Sequence, residues 1–149
     1  MYKWKTKRVT LIVLLSLMMS ALFLVSGAAA ENSAPIYLSF EKTDPEGDFV
    51  WNGTVDGDVS GGLETQLLGF RQSSKILHVE FDWIVEAGNQ SFTARLYGIL
   101  DTETGRVVMD GTIIDGWLEG AQVHEEGQLV DLNTSAFEGT IRIMPASAD

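Results

Sequence analysis

Hydrophobic and polar residues alternate with a period of two along the middle of the chain. From Ile76 to Glu86, every second residue is apolar, and most residues between them are polar; the apolar set is Leu77, Val79, Phe81, Trp83 and Val85. Because successive side chains of a β-strand point to opposite faces, this pattern predicts a strand with one buried and one solvated face. A helix would distribute the same residues around its circumference.

A second alternating run, residues 91–100, follows a two-residue turn predicted at Gly88-Asn89, where a glycine supplies the positive φ that such a turn needs. Folding the chain at this point places apolar residues opposite one another and an acid opposite a base. The predicted cross-strand pairs are Val85–Phe92, Phe81–Leu96, Val79–Gly98 and Asp82–Arg95. Such pairs are expected of a correct register.

Similar short runs recur along the chain, and Asp56-Gly57 and Asp115-Gly116 predict two further hairpin turns. Eight strands are predicted, at residues 37–42, 49–55, 58–66, 76–86, 90–100, 106–114, 117–124 and 136–144. Residues 63–70 are also compatible with one or two helical turns. Many short strands at this spacing indicate a barrel or a sandwich.

Glycines inside the predicted strands decide between these two architectures. They are Gly53, Gly98, Gly111, Gly120 and Gly139. Glycine weakens a strand unless a sharp bend or close packing requires it, and the strands of a closed barrel bend sharply. The sequence therefore predicts an all-β fold, a single antiparallel eight-stranded β-barrel.

Residues 1–30 have the composition of an export signal. Basic residues at Lys3, Lys5, Lys7 and Arg8 precede an apolar run over 9–25, and small residues end at Ala28-Ala29-Ala30. We expect a signal peptide cleaved after Ala30, a β-barrel domain at 31–149 and a secreted or extracytoplasmic location, the alternative being an uncleaved anchor. The apolar run is interrupted by Ser16 and Ser20 and is shorter than the roughly 20 residues of a membrane span. No stable membrane insertion of the mature domain is expected.

Charge and cysteine content narrow the partners and the chemistry. Four of the ten basic residues lie in 1–30 and all 21 acidic residues lie beyond it, so cleavage changes the formal net charge from −11 to −15. This charge repels nucleic acids and anionic membranes, and no nucleic-acid partner is expected. The chain has no cysteine. Thiol catalysis and disulfides are therefore excluded, and stability must come from a packed core or a bound ion.

The remaining polar clusters predict neither a metal site nor a cofactor. His78, Glu80 and Asp82 share the solvated face of one strand, without the spacing of a known ligand pattern. Residues 101–105 and 44–48 are interpreted as hairpin loops because they lack the later glutamate and flanking helices of a calcium loop. No nucleophile elbow or phosphate-binding glycine loop occurs, so the catalytic residues stay unknown.

Aromatic side chains on the inward face are the candidate ligand-binding residues. They are Trp51, Trp83, Phe92 and Trp117. Inside an eight-stranded barrel such side chains either line a ligand cavity or simply fill the interior.

The glycine-punctuated strands resemble the allene oxide cyclase and dirigent-like β-barrels, which are similar in shape to the calycins. The residues that carry the resemblance are 51–59, Leu96-Tyr97-Gly98, Thr104-Gly105, Asp110-Gly111-Thr112-Ile113 and Phe137-Glu138-Gly139-Thr140-Ile141. The resemblance implies an eight-stranded antiparallel barrel with a largely apolar lumen, which hosts cyclisation or coupling of hydrophobic small molecules in the enzymatic members. The sequence lacks the family's Gly-Gly-Thr-Gly stretch, and no catalytic residue of the family can be matched to it.

Three hypotheses for function follow, in this order. The first is an exported barrel that binds a small apolar ligand in its lumen. The second is a cyclase or isomerase, which requires a buried, inward-facing carboxyl group, and an inward acid beside a deep cavity would place it first. The third is a filled barrel that acts as an interaction or envelope protein. The oligomeric state is left open.

Overall fold

The computed structural model describes residues 34–146, and the predicted signal peptide lies outside the described residues. The described chain forms a closed barrel of eight antiparallel strands, which confirms the predicted fold class. The strands are β1 (Ile36–Thr43), β2 (Val50–Gly57), β3 (Gly61–Ser73), β4 (Ile76–Glu86), β5 (Phe92–Asp101), β6 (Arg106–Gly116), β7 (Gln122–Asp131) and β8 (Ala136–Met144). Each strand pairs with the next in sequence, and β8 closes the barrel against β1.

The register predicted for the central hairpin is confirmed. All four predicted pairs between β4 and β5 are present, with Val85 opposite Phe92 and Asp82 opposite Arg95. On the outer face the Arg95 guanidinium donates two hydrogen bonds of 2.8 Å each to the Asp82 carboxylate. The inward set of β4 is buried, since Phe81 and Trp83 both belong to the core.

The predicted two-residue turns are wrong, because the strand connections are longer. A 3-10 helix at Gly88–Gln90 joins β4 to β5 without changing the register. Gly57 and Gly116 end β2 and β6, and the turns themselves are residues 58–60 and 117–121. Residues 63–70 belong to β3 and form no helical turn.

The turn at residues 117–121 displaces the seventh strand from its predicted position of 117–124. Leu118 and Gly120 have φ angles of 59° and 88° there, which a continuous strand does not allow. The backbone N–H of Trp117 donates to Ser91 in the β4–β5 connection, over 2.9 Å. Trp117 therefore lies in a turn, not on a strand wall, and β7 extends seven residues beyond the predicted end, to Asp131.

Inward glycines let neighbouring strands approach closely in the middle of the barrel. A Cβ atom on Gly53, Gly98, Gly111 or Gly139 would overlap a carbonyl oxygen of the adjacent strand. The interpretation of these four as bends of a closed barrel agrees with this geometry. Gly120 is the exception, because it lies in the 117–121 turn with nothing near the Cβ position.

Alternate side chains of every strand point into the barrel and form its core. Its most buried large members include Leu38, Trp83, Leu96, Met109 and Ile141. Three charged side chains are also buried: Lys42 and Glu125 at inward positions of β1 and β7, and Asp44 in the loop that follows β1. Within residues 34–146, no helix is long and apolar enough to cross a membrane.

Candidate functional site

A cavity of about 330 Å³ occupies the end of the barrel at which β1, β3, β5 and β7 end. Apart from Lys42, Glu125 and Ser135, all its lining residues are apolar. They are Phe49, Trp51, Leu67, Phe70, Leu77, Val79, Phe81, Leu100, Val107, Met109, Leu129, Leu132 and Phe137. The cavity thus combines an apolar wall with one small polar region.

The structure separates the four predicted ligand-binding residues into two groups. Trp51 lines the cavity. Trp83 lies beneath it, buried, with its ring centroid 4.3 Å from the Lys42 Nζ atom at the cavity surface. Phe92 and Trp117 lie towards the opposite end of the barrel, at the β4–β5 and β6–β7 connections, and neither lines the cavity.

Packing and one hydrogen bond fix the ring of Trp51 in the cavity wall. The indole N–H donates to the carbonyl oxygen of Ser135 over 2.9 Å. The ring packs edge-on against Phe81 and Phe137, with centroid distances of 5.4 and 6.4 Å. Because its N–H is satisfied, Trp51 presents only apolar surface to the cavity.

An ion pair lies at the inner surface of this cavity. Lys42 continues the inward positions Leu38 and Phe40 of β1, and Glu125 continues the inward position Val123 of β7. Lys42 Nζ lies 3.7 Å from Glu125 Oε1, and the two side chains are only 5% and 1% exposed. That distance is an ionic contact but exceeds the 2.7–3.2 Å usual for a direct N–H···O hydrogen bond.

Burial perturbs both members of the pair. Desolvation raises the pKa of the Glu125 carboxyl group to about 7, although the Lys42 charge opposes the rise. Desolvation likewise lowers the pKa of the Lys42 amine, and Glu125 opposes that change. The Lys42 ammonium also lies over the Trp83 ring, and this cation–π contact favours its charged form.

Hydrogen-bonding capacity at the pair is incompletely used within the described residues. Glu125 Oε2 and Trp83 Nε1 are buried and have no hydrogen-bond partner in this part of the chain. A buried polar atom without a partner costs about 1–3 kcal/mol. Because Glu125 also lines the cavity, its carboxyl group is a candidate hydrogen-bond partner for a molecule that enters there.

Exposed apolar side chains surround the mouth of the cavity. Phe49, Phe70 and Leu132 line it and are 54%, 61% and 80% exposed; we call these three residues the apolar rim. Phe49 has a φ of 65°, which is unusual for a bulky residue. The buried Asp44 carboxylate accepts hydrogen bonds from the backbone N–H groups of Gly47 and Phe49, over 2.8 and 3.0 Å, and so holds this loop.

The other polar clusters predicted as ordinary surface do not line the cavity. Glu80 and Asp82 contact Arg95 on the outer face, at 4.0 and 2.8 Å. Residues 101–105 form a hairpin loop in which Asp101 Oδ1 accepts the N–H groups of Glu103 and Thr104. No group of three or more potential metal ligands occurs within residues 34–146.

Sequence reasoning missed Lys42 and Glu125. The predicted seventh strand ends at His124, one residue before Glu125. The period itself carried the signal, since Val123, Glu125, Gly127 and Leu129 follow one another at every second position. A charged residue in phase with buried neighbours is a candidate for an inward-facing functional group.

Comparisons with protein-family models, with curated proteins and with solved structures found no match for this chain. The resemblance to the allene oxide cyclase and dirigent-like barrels therefore stays a prediction.

Proposed function

We propose that the barrel binds a small, predominantly apolar molecule in the cavity at its open end. The observation that supports this most directly is a cavity of about 330 Å³ whose wall is apolar except for three residues. Ligand sites typically enclose about 300–1,000 Å³ and are mostly apolar, with a few polar groups that fix orientation.

The alternative of a filled barrel is less well supported. A barrel that serves only as an interaction module needs no internal space, and close packing would fill it. The exposed apolar rim also continues directly into the cavity wall. Exposed apolar patches beside a cavity are typical of ligand entrances.

The composition of residues 1–30 supports the further proposal that this binding takes place outside the cytoplasm. The resemblance to cyclase and dirigent-like barrels is consistent with a hydrophobic ligand, but it identifies no particular compound.

Titration with the neutral apolar dye phenyl-naphthylamine tests the proposed binding. The dye's fluorescence is expected to rise on binding, and the intrinsic tryptophan emission is expected to be quenched or shifted because Trp51 lines the cavity. The Trp51→Phe variant should lose most of the tryptophan response. The matched Trp117→Phe variant should keep it, since Trp117 lies at the other end of the barrel.

A steric pair of variants locates the binding inside the barrel. Leu77→Phe enlarges a side chain that lines the cavity, whereas Leu68→Phe enlarges an exposed side chain on the same barrel. Dye affinity should fall by about tenfold in the first variant and stay unchanged in the second. Absence of dye binding and of any tryptophan response to a panel of lipids and terpenoids would refute the proposed function.

Glu125 favours a second candidate function, proton-transfer catalysis on the bound molecule. An inward acid beside the cavity is the condition that places the enzyme hypothesis first, and a carboxyl pKa of about 7 suits a general acid or base. That condition concerns an acid without a neighbouring base. Because Lys42 contacts Glu125 and balances the charge of its carboxylate, ligand binding is still proposed first. Incubation of decanone with the protein in heavy water discriminates the two. Catalysed exchange of deuterium into the carbon atoms beside the carbonyl, abolished in Glu125→Gln, would support the enzyme hypothesis. Exchange at the uncatalysed rate would support ligand binding without catalysis.

A further inference from the structure

The Lys42–Glu125 pair offers a polar contact point at the inner surface of an otherwise apolar cavity. The ammonium and carboxylate are 3.7 Å apart, and Glu125 Oε2 has no hydrogen-bond partner within residues 34–146. A ligand oxygen placed between the two groups can accept a hydrogen bond from Lys42. If that oxygen carries a hydrogen, it can also donate to Glu125.

The charges of the pair determine which polar group fits best. Lys42 and Glu125 sum to zero net charge, whether the proton lies on the lysine or on the glutamate. A carboxylate or ammonium on the ligand would leave one uncompensated charge in the cavity, and burying such a charge is costly. A hydroxyl or carbonyl group adds no charge and uses the vacant hydrogen-bonding positions of the pair.

The apolar rim determines the direction of the ligand. Phe49, Phe70 and Leu132 line the mouth of the cavity and are more than half exposed, so they extend its apolar surface outward. A chain whose polar end lies against Lys42 and Glu125 would pass along the apolar wall and end at this rim. The opposite orientation would give Lys42 and Glu125 no hydrogen bond from the ligand and would place the polar end of the ligand against apolar side chains.

We infer that the physiological ligand is an aliphatic molecule with one uncharged oxygen-containing end group, an alcohol or a carbonyl compound, bound with that end against Lys42 and Glu125. This inference rests on the proposed binding function and specifies its ligand class. The tail of the molecule contacts the apolar rim.

Decanol and decane test the role of the pair by displacing phenyl-naphthylamine. The wild-type protein is compared with the double variant Lys42→Met/Glu125→Met, which retains a cavity wall of similar volume. The ratio of decanol to decane affinity should fall by about tenfold or more in the double variant, because the hydrogen bonds to the end group are lost. The transfer of each compound from water cancels in this comparison. The control Leu77→Met/Leu100→Met alters two apolar lining residues and should keep the wild-type ratio.

The possible outcomes separate this inference from the proposed function. Equal decanol-to-decane ratios in the wild type and the double variant would overturn the role of the pair while leaving apolar binding intact. Decanoate that binds the wild type more tightly than decanol would overturn the assignment of an uncharged end group. Failure of both decanol and decane to displace the dye would count against the proposed function itself.

A chain-length series tests the orientation. Phe70→Ser removes one apolar side chain of the rim and should weaken dodecanol binding by about threefold, and octanol binding should change less because its shorter tail contacts less of the rim. Equal weakening of both alcohols would overturn the inward orientation of the polar end.

Discussion

Replacing Glu125 alone by methionine is expected to leave the barrel about 3–5 kcal/mol less stable than replacing Lys42 and Glu125 together, and the double replacement is expected to be nearly neutral or stabilising by about 1–4 kcal/mol relative to the wild type. The single variant leaves the Lys42 amine buried without its counter-charge, inside a ring of aromatic side chains. The double variant replaces two desolvated charges by apolar side chains of similar length, and methionine adapts to irregular spaces.

Urea denaturation of the wild type, both single variants and the double variant measures this coupling. The two single-variant losses should sum to well above the loss of the double variant, since the groups interact directly. If the two single-variant losses instead add up to the loss of the double variant, Lys42 and Glu125 do not form an ion pair in the folded protein. Destabilisation of the double variant by several kcal/mol would instead indicate that the pair stabilises the fold, which would weaken its assignment to ligand recognition.

The pH dependence of the same proteins follows from the direction of the two pKa shifts. Glu125 has a folded-state pKa of about 7 against an ordinary value of 4.5, so the folded protein holds this proton more tightly than the unfolded chain does. The stability of the wild type relative to the double variant should therefore be highest below pH 4.5 and fall by about 3 kcal/mol as the pH rises to about 7. Lys42 acts in the opposite direction as the pH rises towards 10.5, because its folded-state pKa is lowered from that ordinary value. A difference that is flat from acid to neutral pH would refute the raised pKa of Glu125.

The β4–β5 hairpin was predictable because most of its residues obey one rule. Its buried face is apolar at consecutive alternate positions, and only one register brings Val85 to Phe92 and Asp82 to Arg95 together. A slip by one residue would expose Phe81 and Trp83. The register therefore survived an incorrect turn, since the longer connection that contains the 3-10 helix at Gly88–Gln90 still brings Val85 opposite Phe92.

The cavity was only partly predictable, because its position depends on tertiary packing. Inward alternation identified Trp51 and Trp83 as interior residues, but it contains no information on which end of the barrel is open. Phe92 obeys the same alternation and is buried in the core away from the cavity. For Trp117, the turn is predicted at Asp115-Gly116, but Gly116 ends β6 and the turn begins only after it. Trp117 therefore lies in the turn and not on the following strand.

The polar part of the site was missed for a different physical reason. Strand prediction from hydrophobicity treats an inward charge as the end of a buried face, whereas a functional cavity is where such a charge is tolerated. Lys42 and Glu125 come from strands distant in sequence and are brought together by the closure of β8 against its neighbours β1 and β7. Local patterns contain no information about that contact.

Replacing Gly111 by alanine is expected to destabilise the barrel by about 3 kcal/mol, although the change adds a single methyl group. A Cβ atom at this position would overlap the carbonyl oxygen of Arg95 on the neighbouring strand, and would lie 2.8 Å from Cδ2 of Leu96. Backbone atoms cannot rotate away as a side chain can, so β5 and β6 must separate and weaken their hydrogen bonds. The measurement is the denaturation midpoint in urea, compared at unchanged slope.

Gly69→Ala is the matched control for this effect, because Gly69 is also inside a strand but has no atom within 4 Å of its Cβ position. Alanine restricts the unfolded chain more than glycine does, so this variant should be unchanged or more stable by up to about 1 kcal/mol. Equal losses at both positions would indicate a general requirement for glycine flexibility in these strands. A loss confined to Gly111 would establish that close strand approach is the reason for the inward glycines, and hence that the barrel's tight curvature depends on them.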